Sequence, residues 1–330
     1  MDVTDLLTRA LAAGASDLHL ATGEPPLLRV DGLLQRLELP PLLAAELDEG
    51  LGLLLEHGQR QQWRAGDELD LALTLEGIGR CRLNLFRQQQ GPSASFRLLP
   101  KGMPTLEQLD LADVFQPIAQ STEGLVLVGG PTGSGKSSTL AALINALNRE
   151  RALHIVTLED PVELIHKGQR SLVTQREVGR DCRDFAQGLR SALRQDPDVI
   201  MIGELRDLDS IRLALRAAQT GHLVLATVHA GSALSSIERL VEVFAAEEKP
   251  LVRSMLAESL RLVVTQVLMP RVGGGRVAAR EVLVATAAVR NLIREGRMAQ
   301  LQSVMQAGGA QGMKTMEAAQ QQLRNQGVIA

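Results

Sequence analysis

The chain has 330 residues, 45% of them hydrophobic and 22% charged, with a net charge of −3; this excludes a disordered or collagen-like polymer and suggests about two folded domains. An acidic balance with no Tyr, one Trp and five Phe offers neither the charge nor the stacking surface for a nucleic-acid partner. No run approaches the roughly 18 apolar residues of a membrane span, the acidic start Met1-Asp2-Val3-Thr4-Asp5 is unlike a signal peptide, and Cys81 and Cys182 cannot build a disulfide framework or a four-cysteine zinc site, so the expected compartment is the reducing cytosol.

Val3, Leu6, Leu7, Ala10 and Leu11 recur at helical spacing, with Gly14 as a stop. Ser16 to Leu20 alternates like a strand, and Leu27 to Val30 before Asp31-Gly32 reads as a hairpin strand and its turn. Residues 42–64 are expected to be helical. Leu69, Leu71, Leu73 and Leu75 then share a strand face, and Cys81, Leu83 and Leu85 share another, with Arg80, Arg82 and Asn84 opposite. Ser93 to Leu98 adds a last strand. These elements form a small α+β domain, expected over 1–99. Pro100, Gly102 and Pro104 mark a linker, expected over 100–117.

From 118 to 330 the rhythm changes. Apolar runs at Leu125–Val128, Leu153–Leu158, Val199–Ile202 and Leu223–Val228 alternate with helical patterns, including 184–195 and 208–219. Continuous apolar strands between helices predict a mainly parallel sheet covered on both faces, an α/β domain. Runs on either side of Gly273-Gly274-Gly275 predict a hairpin, and 286–328 reads as three short helices.

Gly130-Pro131-Thr132-Gly133-Ser134-Gly135-Lys136-Ser137 fits G-x-x-x-x-G-K-[ST], between a predicted strand and a predicted helix, as a phosphate-binding loop requires. Its glycines let backbone N–H groups approach a phosphate, and the helix N-terminus adds positive potential. Lys136 then bridges the β- and γ-phosphates, and the Ser137 hydroxyl ligates Mg²⁺. Ser138 follows within the same turn.

Val199 to Ile202 runs into Gly203-Glu204, the pattern of a Walker B strand with Gly where an Asp is usual. Glu204 is expected to polarise the attacking water, hold the metal's water shell, or both. Glu159-Asp160 ends another apolar strand, and one acid of the pair can face the metal. His222 and His229 bracket the Leu223–Val228 strand, with His229 a candidate γ-phosphate or water sensor and His222 a candidate nucleotide contact. Arg190 and Arg194, four apart on a predicted helix, are candidates for the cation that stabilises developing charge, supplied from a neighbouring subunit.

Taken in order, these segments resemble the retraction ATPases of type IV pili, the PilT family within the secretion-ATPase superfamily. The resemblance rests on Ala15 to Leu20, Arg29 to Gly32, the P-loop, Thr157 to Glu163 (similar to the family's Asp box), Gly203 to Asp207 (its Walker B), Thr220-Gly221-His222 through His229 (its His box) and Ala288 to Glu295 (its retraction motif). It implies a PAS-like N-terminal domain followed by a RecA-like P-loop NTPase domain, ATP and Mg²⁺ as ligands, and nucleotide held between the domains with arginines of the first, matched by Arg80, Arg82 and Arg97. It further implies a cytoplasmic homohexamer at the inner face of the membrane that meets the bilayer only through partners. Those partners are an inner-membrane platform protein and a paralogous retraction ATPase. The implied activity is ATP hydrolysis driving pilus retraction. The rivals are a pilus-assembly or type II secretion ATPase, whose four-cysteine zinc motif is absent here, a DNA-translocating P-loop ATPase and a non-hydrolysing regulator.

Overall fold

Val3, Leu6, Leu7 and Ala10 do line one buried face of a helix, α1 (Val3–Ala12), whose first N–H groups are capped by Asp2. The structure is a computed structural model that describes residues 2–99 and 102–330. The chain forms two units: Met1–Gly102 with Pro161–Leu164, and Met103–Asp160 with Ile165–Ala330.

In the first unit α1 is followed by β1 (Asp17–Ala21), β2 (Leu27–Val30), β3 (Leu33–Arg36), α2 (Ala44–Leu53), α3 (His57–Ala65), β4 (Leu69–Leu75), β5 (Gly79–Gln88) and β6 (Gly91–Leu98). The strands form one antiparallel sheet in the order β3-β2-β1-β6-β5-β4. Strand alternation sends Leu18, Leu20, Leu83, Leu85, Ala94 and Phe96 into a core shared with α1, α2 and Trp63. The helix expected over 42–64 is two helices. The chain breaks before Glu56, which caps α3 in a reciprocal box with Gln59, and Gly66 ends α3 in a left-handed conformation.

The second unit runs α4 (Ala112–Ala119), β7 (Gly124–Gly129), α5 (Lys136–Glu150), β8 (His154–Glu159), β9 (Leu172–Glu177), α6 (Phe185–Ala192), β10 (Val199–Ile202), α7 (Leu208–Gln219), β11 (Leu223–Val228), α8 (Ala233–Glu242) and α9 (Lys249–Ser259). The hairpin β12 (Leu260–Pro270) and β13 (Arg276–Val284) follows, then α10 (Ala287–Glu295), α11 (Leu301–Ala307) and α12 (Met316–Asn325). The sheet order is β13-β12-β7-β11-β10-β8-β9, with only the β12–β13 pairing antiparallel. It is buried on both faces. Leu125 and Leu127 pack with residues of α6 to α10, while Val126 and Val128 pack with α4 and α5.

Pro100, at the head of the expected linker, lies outside the described residues together with Lys101. The rest of that segment is not a linker from Met103 onward. Leu106, Leu111 and Phe115 are buried in the core beneath α5, so the apolar surface they carry fixes 103–117 in the second unit.

Candidate nucleotide site

Parallel strands place all their C-terminal ends at one edge, and the register shows what gathers there. Val228 pairs with Gly129, Ile202 with both Ala226 and Leu158, and Glu159 with Glu177. Gly130, Glu204 and His229 therefore stand just beyond one sheet edge, and Glu159 ends β8 at that same edge.

The P-loop turns tightly from β7 into α5. Gly130, Gly133 and Gly135 have φ of 147°, 75° and 89°, values that residues with a Cβ rarely adopt. At Gly130 a Cβ would also meet Ser134 Oγ at 2.4 Å and the Gln266 carbonyl at 2.5 Å. Lys136, 9% exposed, donates from Nζ to the carbonyls of Gly130 and Pro131, both at 2.9 Å. Pro131, Thr132, Gly133 and Ser137 are exposed, Ser138 half-exposed, and Ser134 buried.

Glu204 is the most buried member of an edge trio with His229 and Arg206: its side chain is 12% exposed. Oε2 lies 2.6 Å from Arg206 Nη2 and 3.3 Å from His229 Nε2. The hydrogen bond to Glu204, with further attraction from Asp160, holds the Arg206 guanidinium above its ordinary pKa. His229 is fixed through its carbonyl, which accepts from Arg239 Nη1 at 2.9 Å. Gly203 has a packing cause. Its N–H donates to the Leu158 carbonyl at 2.7 Å, its own carbonyl accepts from Thr227 Oγ1, and a Cβ there would sit 3.1 Å from the Leu158 oxygen. An Asp at this position would push β10 away from β8.

Glu159 Oε1 accepts from Thr157 Oγ1 at 2.6 Å and from Gln175 Nε2 at 3.0 Å, so its orientation is set from two strands. Glu159, Glu204 and the Ser137 hydroxyl supply only oxygen donors, which suits Mg²⁺; that ion takes a few protein oxygens and completes its shell with water and phosphate. Among the described residues no three His, Cys, Asp or Glu side chains form a self-sufficient metal cage.

Other expected site residues fall elsewhere. His222 precedes β11 and His229 follows it, so the two stand at opposite edges, about 23 Å apart across a six-residue strand at roughly 3.3 Å per residue. Its Nδ1 lies 3.1 Å from the Ala217 carbonyl, at the end of α7. It is not brought to the P-loop edge of its own chain. Arg190 is surface-exposed and pairs with Asp209 at 2.9 Å, and Arg194, past the end of α6, is exposed.

The three arginines of the first unit lie on its sheet. Arg82 and Arg97 are directly opposite in the β5–β6 register. Arg82 binds Asp70 through Nε at 3.0 Å and Nη2 at 2.5 Å, and Arg97 binds Asp17 at 3.1 Å. Arg80 donates to the Val162 carbonyl from both Nε and Nη2.

Arg206, Gln175 and Gln266 have roles that the sequence did not disclose. Arg206 lies within Gly203 to Asp207, a pattern that assigns it no role, and the two glutamines come from strands that adjoin the edge only in the fold. Among the described residues no helix is long and apolar enough to cross a membrane.

Residues 1–328 match the family model described as Type II/IV secretion system protein. The chain is 48% identical to the type IV pilus retractation ATPase PilT of Pseudomonas aeruginosa, covering 100% of this chain and 96% of that one. It is 38% identical to the type IV pilus ATPase PilU of the same organism, covering 100% and 86%. A crystal structure of the pilus retraction motor PilT with bound ADP superposes with a TM-score of 0.91 at 40% identity, covering 100% of this chain and 95% of that one.

Proposed function

The chain belongs to the type II/IV secretion system protein family, and from that premise we propose that it is a motor ATPase whose hydrolysis of ATP drives type IV pilus retraction and twitching motility. The observation that carries this reading is the gathering of the P-loop, Glu159, Glu204 and His229 at one sheet edge, in a chain 48% identical to a retraction ATPase over its full length.

The chemistry follows from the side chains. The P-loop N–H groups and the α5 N-terminus bind the β- and γ-phosphates, and Lys136 neutralises them. Glu204, aimed by Arg206 and His229, orients the water that attacks the γ-phosphate and accepts its proton through Oε1 or Oε2. Ser137, with Glu159 and Glu204 through water, would hold Mg²⁺, which when bound offsets charge on the phosphate oxygens.

The finer reading gives the first unit a PAS-like and the second a RecA-like fold. The working form is a cytoplasmic homohexamer at the inner face of the membrane, bound to an inner-membrane platform protein and to a paralogous retraction ATPase. Arg190 and Arg194, exposed in one chain, act on a neighbour's nucleotide. Mixing Arg194→Ala with Lys136→Ala subunits tests that: activity recovers wherever an intact pocket meets an intact arginine, and absence of recovery in confirmed hexamers refutes it.

The decisive experiment for the whole reading is deletion of the gene. Surface pili should accumulate while twitching is lost, and purified protein should hydrolyse ATP without DNA. Cells that lose their pili instead would identify an assembly motor.

A further inference from the structure

One buried amide touches the P-loop at several points. Gln266 lies on β12 one residue beyond Thr265, which pairs with Gly129, so the register sets it beside the start of the loop. It is 1% exposed. Its Nε2 donates to the Ser134 carbonyl at 2.6 Å, and its Oε1 accepts from Thr139 Oγ1 on α5 at 2.9 Å. Ser134 and Thr139 are themselves 2% and 1% exposed. A carbonyl can only accept, so the NH₂ must face Ser134 and the amide has a single orientation. Gln266 also explains two loop glycines. A Cβ at Gly130 would strike its backbone carbonyl at 2.5 Å, and one at Gly135 would come within 3.1 Å of its Nε2.

We infer that Gln266 is a positioning residue for nucleotide binding, acting through the main chain of the P-loop. The peptide between Ser134 and Gly135 is planar, so its C=O and N–H point in opposite directions. Pinning the Ser134 carbonyl toward β12 turns the Gly135 N–H away from β12, to the side where the loop can meet a phosphate oxygen. Thr139, one turn into α5, holds the far end of the same amide and so locks the loop to the helix that follows it. Without this brace the peptide is free to rotate, and a loop that must be ordered by its ligand binds that ligand more weakly. The chemistry of the γ-phosphate, set by Glu204 and His229, is left in place. The brace therefore acts on affinity rather than on turnover.

This rests on the nucleotide-binding reading of the P-loop, and the test separates the two. ADP binding is titrated calorimetrically, and ATP turnover is followed by phosphate release, for wild type, Gln266→Glu, Thr139→Val and Thr139→Ser. Gln266→Glu puts a carboxylate against the Ser134 carbonyl and should weaken ADP about tenfold, raise KM for ATP likewise and leave kcat within about twofold. Thr139→Val should shift affinity the same way by a smaller factor, and Thr139→Ser, which keeps the hydroxyl, should restore it. An affinity within twofold of wild type in folded Gln266→Glu overturns the inference, as does a Thr139→Ser that behaves like Thr139→Val. So does a kcat that falls in step with melting temperature while KM stays put. Should Gln266→Glu not fold, the two Thr139 variants decide by the same criteria. A wild type that binds no ADP defeats the nucleotide reading itself, whereas a binding wild type with an indifferent Gln266→Glu defeats only the brace.

Discussion

Arg206 and Glu204, two residues apart, meet at 2.6 Å on the carboxylate oxygen that His229 also approaches. A carboxylate held from two sides loses little rotational freedom on reaching a reactive geometry. Arg206→Ala should therefore lower kcat by roughly tenfold, the loss of one charge-assisted hydrogen bond in the oriented state, with KM for ATP almost unchanged. Steady-state kinetics distinguishes this from direct contact with nucleotide, in which case KM would rise instead.

Glu204→Gln keeps the phosphate cradle and removes the charge to which the proposed mechanism assigns the activation of water. It should bind ADP like wild type and lose about a hundredfold or more in turnover. Lys136→Ala should lose affinity itself, because Lys136 is the cation of the loop. Equal affinity losses in the two variants would contradict this division of roles.

The exposed side of α10 offers a separate lever. Arg294 and Glu295 are exposed, and Glu295 accepts from Asn291 Nδ2 at 3.1 Å and pairs with Arg297 at 3.3 Å, both near neighbours in the chain. Val289, Leu292 and Ile293 carry the packing. Exposed pairs of this kind contribute a few tenths of a kcal/mol. Arg294→Ala with Glu295→Ala should fold, assemble and hydrolyse ATP normally while pilus retraction in cells is lost. Turnover falling in proportion to motility would make the helix part of the catalytic scaffold.

Acid stability has a named contributor. Burial drives His166 down to about 4 from 6.5, so it stays neutral when folded while the unfolded chain takes up a proton. Above pH 6.5 neither state is protonated and the residue costs nothing. As pH falls from 6.5 toward 4 the unfolded state gains protons first, and stability drops by a term approaching about 3 kcal/mol. Denaturant titrations at pH 7 and pH 4.5 should show a smaller difference for His166→Gln than for wild type. Parallel losses in the two proteins would assign the acid sensitivity to other groups.

The residues that the fold gathers at the sheet edge were legible in the sequence because each one terminates an apolar run. Val126 and Val128 announce Gly130, Ile200 and Ile202 announce Glu204, and Leu158 announces Glu159. Strand direction was the missing quantity for His222. Two histidines bracketing a strand look equivalent until the strand is seen to separate them by its own length. Gln266 and Gln175 gave no signal. Their partners Ser134 and Glu159 lie 132 and 16 residues away, and β9, with Thr174, Gln175 and Arg176 in its middle, has no apolar run to mark it as a strand. The break at Glu56 depended on a reciprocal cap that competes with helix continuation, a local choice that hydrophobic spacing does not register.

Residues Pro161–Leu164 belong with the first unit although the chain on either side of them belongs to the second. The polypeptide passes between the units three times, and the Arg80 guanidinium clasps a carbonyl, that of Val162, from the returning tetrapeptide. A gene fusion that swaps the first hundred codons with those of a relative would thus leave the tetrapeptide, with its buried Val162 side chain, against a sheet whose residues were not matched to it. Recombination within this family carries a second, hidden breakpoint four codons long, and chimeras that ignore it should be poorly soluble while those that move both segments together should not.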